Sequence, residues 1–132
     1  MQRGRTANSK KKALAGTKKV WSGYWAADTL LKRGVPFTGV FAINDLMAMG
    51  AMKRFWEAGL RIPEDVSICG CDDIIAASYT APPLATLQSH AVTLGEYLMY
   101  QLLEKMQHGR SNPRLEQQIH AEFVLRESMG PV

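Results

Sequence analysis

The sequence predicts an α/β fold built on a parallel sheet, and three observations carry that prediction. Thr38–Ile43 and Val66–Gly70 are short apolar runs with β-branched members, the first also carrying an aromatic side chain, as in strands covered on both faces. They begin about 28 residues apart with an amphipathic helical pattern between them, the layout of a βαβ unit. Each run gives way to a polar pair, Asn44-Asp45 after the first and Asp72-Asp73 after the second.

Taken in chain order, SGYWAADTLLKR (Ser22–Arg33) places Tyr24, Ala27, Leu30 and Leu31 on one helical stripe. Gly34 marks its C-terminal stop and Pro36 bars continuation. The strand Thr38–Ile43 follows. Met49, Met52, Phe55 and Trp56 then recur at helical spacing, which predicts a helix Asp45–Ala58 closed by Gly59. Asn44 or Asp45 stands at its start, where a side-chain oxygen accepts from a free N–H of the first turn. In an open α/β sheet the carboxyl end of a strand also faces ligands, so both roles stay open. The same choice applies to Asp72 and Asp73, which either cap a turn Ile74–Ala77 or face a pocket.

After Pro82-Pro83 an extended segment Ala85–Gln88 is expected. Thr93-Leu94-Gly95-Glu96 has capping-box spacing, and Gly95, Leu98, Met99, Leu102, Leu103 and Met106 continue as one stripe, so Leu94–His108 reads as a helix ending at Gly109. Six such positions left in water would forfeit burial energy, so this stripe calls for a surface that covers it. Ile119, Ala121, Phe123 and Leu125 alternate with Gln118, His120, Glu122 and Val124, predicting a strand Gln117–Arg126.

The 132 residues, 46% hydrophobic and 21% charged, suit one soluble globular domain. The net charge of +4 is unevenly placed. Residues 1–20 carry seven basic groups (Arg3, Arg5, Lys10, Lys11, Lys12, Lys18, Lys19) and no acid, which leaves −3 on the remainder. We therefore divide the chain into a basic tail, 1–20, expected to be disordered, and a domain, 21–132. A charge block without aromatics reads as a solvated tail rather than a nucleic-acid contact. The sequence has neither the apolar core of a signal peptide nor a run approaching the roughly 20 apolar residues of a membrane span, so a cytoplasmic protein without membrane contact is expected.

Cys69 and Cys71 share one strand face at about 7 Å, too far for an unstrained disulfide, and read as reduced thiols rather than a metal site. His90, His108 and His120 have no Ser or Cys partner at triad spacing. Asp45, Asp72 and Asp73 could serve as general acid and base, yet no nucleophile, phosphate loop or metal cluster accompanies them. Neither an enzyme nor a cofactor is expected.

Three segments carry a family resemblance: FTGVFAINDLMAMGAMKRFWEAGLRIPEDVSICGCDD, SYTAPPLATLQSHAVTLGEYLMYQLLE and FVLRESMGP. In order and spacing, from about Ser22 to Pro131, the chain resembles the C-terminal part of a LacI-family bacterial transcription regulator. The resemblance implies a periplasmic-binding-protein-like (type I) effector domain, in which two α/β lobes clamp a small molecule, often a sugar or a nucleobase. Ser22–Pro83 would belong to the C-terminal lobe, Leu94–His108 would pack on the N-terminal lobe, and Gln117–Arg126 would return. The helix-turn-helix, the hinge helix and the first-lobe strands of such regulators have no counterpart here, so the fold is expected to be incomplete and the regulator truncated.

Carried over by position, Asn44 matches the polar residue that hydrogen-bonds the effector, and Asp72 matches the aspartate that takes ligand hydroxyls or ring nitrogens. Lys18 stands where the family places a stacking aromatic; Trp21 is the displaced candidate. Gln88 and Ser89 stand where many members have a glutamine. Met49 and Tyr79 fall at the family's dimer interface. The expected partners are therefore a small-molecule effector, most simply a sugar held weakly by half a clamp, and a second copy of the chain. No specific DNA binding is expected of this segment alone. A sugar-binding protein of a transport system is the alternative with the same fold.

Overall fold

The structure, a computed structural model, describes residues 19–109 and 121–131. The basic block up to Lys18 and the first part of the expected final strand lie outside the described residues. The elements run α1 (Val20–Lys32), β1 (Gly39–Phe41), α2 (Asp45–Glu57), β2 (Ser67–Cys71), a 3-10 turn (Ile75–Tyr79), β3 (Ala85–Gln88), α3 (Ala91–His108) and β4 (Glu122–Val124). The four strands form one sheet in the order β1-β2-β3-β4. β1, β2 and β3 are parallel and β4 closes the edge antiparallel to β3. The βαβ unit is as the sequence predicted.

One face of the sheet is covered. Val40 pairs with Ile68 and Gly70 with Thr86, and α2 packs over that side, with α1 against α2, around Phe55, Val66, Ile68 and Leu84, all nearly inaccessible. α1 reaches α2 closely enough that a Cβ on Gly23 would strike the Met47 carbonyl, and one on Gly50 the Val20 carbonyl. Beside that contact Arg54 donates to Asp28 at 2.9 Å, and Tyr24 donates to Glu57 at 2.6 Å.

On the other side the described residues do not supply the second cover that was expected of the strands. Phe41 and Ile43 are exposed, and Phe41, Cys69, Leu87 and Phe123 line an open depression of about 680 Å³. An apolar run reports what a strand is built to meet, and here the described residues supply only one layer of helices. For the same reason no residue of α3 is buried, and Leu98, Met99, Leu102, Leu103 and Met106 all stand exposed.

Some local signals in the sequence operate in the structure and others do not. Asn44 caps α2, its Oδ1 accepting from the Met47 N–H at 2.9 Å. Gly34 and Gly59, at φ 63° and 78°, follow α1 and α2 in the left-handed conformation that ends helices. The capping box at Thr93 is not used: α3 begins earlier, after His90 at φ 46°, with no side-chain cap, and Thr93 lies inside the first turn. Val20, assigned to the tail, opens α1.

β4 is followed by a segment that binds the sheet at its centre. Ser128, fully buried, donates its hydroxyl to the Ile68 carbonyl at 2.6 Å and accepts from the Ala85 N–H at 2.8 Å. Its own N–H reaches the Pro83 carbonyl at 2.9 Å, and its carbonyl accepts from the Ile68 N–H at 2.9 Å.

Candidate functional site

The carboxyl ends of the three parallel strands define one edge of the sheet, where an open α/β fold binds ligands. Phe41 and Cys69 are partners in the β1–β2 ladder, and both sequence candidates lie three residues beyond that pair: Asn44 after β1 and Asp72 after β2. The two are thus brought to one edge of adjacent strands. Gln88, the last residue of β3, reaches the same edge one residue beyond the Cys71–Leu87 pair.

Asp72 and Asp73 take different roles. Both have positive φ, 109° and 52°, a conformation that costs a non-glycine residue about 1–3 kcal/mol and persists only where its surroundings fix it. The fixing is visible in three successive amides: Asp72 N–H donates to the Leu87 carbonyl at 2.9 Å, Asp73 N–H to Thr86 Oγ1 at 3.3 Å, and Ile74 N–H to Asp45 Oδ2 at 2.9 Å. The Asp73 carboxylate accepts from Arg126 Nη2 at 2.7 Å on one oxygen and from Gln88 Nε2 at 3.2 Å on the other. Arg126 also donates Nη1 to the Leu84 carbonyl at 2.9 Å. Asp72, by contrast, is exposed, and its carboxylate makes no hydrogen bond among the described residues.

Neither acid caps the following turn. The 3-10 segment has Ile74 at its N-cap and no side-chain cap bond, so that alternative is set aside. Asp45, the other polar residue after β1, points inward. It is fully buried, and its Oδ1 accepts from the Thr86 hydroxyl at 2.6 Å. A Cβ on Gly70 would overlap that carboxylate, so glycine at this position of β2 is what makes room for the buried acid. Asp45, Thr86, Asp73 and Arg126 were not marked as one group by the sequence; their partners lie 29 to 53 residues apart, and only the Asp-Asp pair was a local signal.

The remaining candidates are scattered. Trp21 stands exposed in the first turn of α1, and among the described residues no ring contact or hydrogen bond joins it to the Asn44–Asp72 edge. Gln88 spends its amide on Asp73. Tyr79 is highly exposed on the 3-10 turn, and half-buried Met49 lines a shallow depression of about 350 Å³ with Met52, Trp56 and Thr80. Cys69 is buried and Cys71 half-buried, both unbridged; burial, then the nearby Asp45 charge, pushes the Cys69 thiol above its ordinary range, away from a reactive thiolate.

Comparison with known proteins gives the chain a context. Residues 2–129 match the model of the periplasmic binding protein-like domain family. The chain is 37% identical over 107 residues to the HTH-type transcriptional repressor PurR of Pasteurella multocida, covering 81% of this chain and 32% of that protein. Among solved structures it is similar to a LacI family transcriptional regulator from Enterococcus faecalis with bound ribose, at 34% identity and TM-score 0.76, over 88% of this chain and 42% of that one. It is also similar to the lac repressor dimer bound to operator and the anti-inducer ONPF, at 31% identity and TM-score 0.75, over 86% of this chain and 39% of that one. The chain spans about a third of the length of the curated relatives it matches.

Proposed function

Because the chain belongs to the periplasmic binding protein-like domain family, as a C-terminal effector-domain segment of the LacI type, we propose that it is a ligand-sensing and self-associating module. Its edge residues Asn44 and Asp72 bind a small polar molecule, most simply a sugar. The observation that supports this most directly is the shared edge: two adjacent parallel strands end, at equal distance from one ladder pair, in an amide and an exposed carboxylate. A carboxylate suits vicinal hydroxyls because it accepts two charge-assisted hydrogen bonds side by side. Ribose in the similar Enterococcus faecalis regulator is in keeping with a sugar ligand.

Binding, not turnover, is the activity expected, and the location expected is the cytoplasm. No helix of the described residues is long and apolar enough to cross a membrane. In an intact regulator the effector would bias lobe closure and so the placement of paired DNA-binding heads, a coupling of binding free energies. Met49 and Tyr79 would contribute to pairing of copies, in line with the exposed apolar surface around them.

The described residues present one side of a cleft, so the affinity of this segment by itself should be weak, in the millimolar range where binding is worth only about 4 kcal/mol. Amide NMR titration with D-ribose, D-glucose, cellobiose and hypoxanthine tests the proposal. Shifts centred on Asn44 and Asp72, lost in Asp72→Asn, are expected for at least one sugar. Shifts confined to hypoxanthine would replace the sugar with a nucleobase, and shifts mapping elsewhere, or none, would refute the site.

A further inference from the structure

We infer that Arg126 is a positioning residue for the effector edge: by holding Asp73 it determines that Asp72, and not its neighbour, is the carboxylate presented to ligand. This rests on the reading of Asp72 as an effector contact and adds the residue that sets its geometry. Two adjacent acids leave β2, and either could in principle face the edge. The structure makes them unequal. Asp73 is half-buried, paired to Arg126 at 2.7 Å and to Gln88 at 3.2 Å, whereas Asp72 is exposed.

The guanidinium does more than neutralise a charge. Its planar fork ties three places at once: the loop after β2 through Asp73, the start of β3 through the Leu84 carbonyl, and the residues after β4 through its own backbone. Three backbone amides already hold the two left-handed residues, and the guanidinium adds the one side-chain tie from beyond β4. Lysine offers a compact ammonium in place of a planar fork, so it does not reproduce two bonds made from separate nitrogens. The consequence is that β4, the strand that returns to the sheet after α3, and the ligand loop after β2 move as one piece. A shift of the returning strand would be felt at Asp72.

The test separates the clamp from the ligand. In Arg126→Met, amide hydrogen exchange at Asp72, Asp73 and Ile74 should accelerate about tenfold or more while Phe55 and Ile68 in the core keep wild-type rates, and the positive-φ coupling constants of Asp72 and Asp73 should average toward loop values. Asp73→Asn should give the same local signature, and the double variant should be no worse than either single one. Arg126→Lys should fall between. If Arg126→Met does not fold, Asp73→Asn carries the test alone. Unchanged exchange at the three loop amides would overturn the inference, as would equal acceleration at every amide, the mark of a general stability role. These outcomes need no ligand. Loss of the Asp72 response to D-ribose in Arg126→Met, with wild-type melting, would extend the effect to binding. Absence of any response in the wild type to D-ribose, D-glucose and cellobiose would count against the sugar reading alone.

Discussion

The Gly70→Ala substitution puts the buried acid to the sharpest trial. An alanine Cβ there occupies the space of the Asp45 carboxylate, with the Asp45 backbone close behind, so the acid cannot simply swing aside. Asp45 would give up the Thr86 hydroxyl at 2.6 Å or the Ile74 N–H at 2.9 Å while staying buried. A hydrogen bond to a charged group contributes about 1.5–3 kcal/mol, and a buried acceptor left unmet adds to the loss. One bond lost and the other strained amount to about 3 kcal/mol, a fall in Tm of roughly 12 °C or more for a chain of this size. Urea titration followed by far-UV circular dichroism measures it. Gly39→Ala is the control: the added carbon meets only the Ser67 carbonyl, at 4.0 Å, and should change stability by no more than about 0.5 kcal/mol. Thr86→Val added to Gly70→Ala should cost less than it does alone, since both act on one acceptor. If Gly70→Ala unfolds within about 0.5 kcal/mol of wild type, the tight fit of acid against glycine is refuted.

Three other outcomes follow from the same geometry. Gly50→Ala, where the added carbon meets the Val20 carbonyl backbone to backbone, should separate α1 from α2 and cost about 2–4 kcal/mol in the same titration. Asp65, which accepts from both the side chain and the backbone N–H of Arg61, has its carboxyl lowered to about 2. Because the folded value lies below the ordinary 3.8, this pair stabilises the fold above that pH and stops doing so as pH falls from 3.8 toward 2. Carboxyl NMR should find that midpoint, and Arg61→Gln should return it toward 3.8. Finally, light scattering should report a mass above one chain, reduced by Leu98→Glu with Leu102→Glu on the uncovered stripe of α3. A wild-type monomer that melts cooperatively would refute association through this helix.

How much of this was legible in the sequence depended on the distance over which each signal acts. β1, α2 and β2 were readable because apolar runs and helical spacing are local, and the Asn44 cap was readable because its acceptor lies three residues away. The start of α3 was not legible, because Thr93 offers a local cap while the chain turns at His90 through backbone conformation alone. The bare face of the sheet was invisible to periodicity, which reports what a strand could bury and not what arrives to cover it. At the site, the two strand ends were legible and the machinery behind them was not. Asp45 meets Thr86, and Asp73 meets Arg126, only after the sheet has brought β2, β3 and β4 side by side.

The hydroxyl of Ser128 bridges residues 60 and 43 positions earlier in the chain. During synthesis, then, a nascent polypeptide can assemble α1, β1, α2 and β2 from neighbours already made, yet the bridge between β2 and β3 stays unlocked until residue 128 has left the ribosome. Translation halted before codon 128 should therefore yield a product exposed to proteases and chaperones rather than the same fold without its last segment.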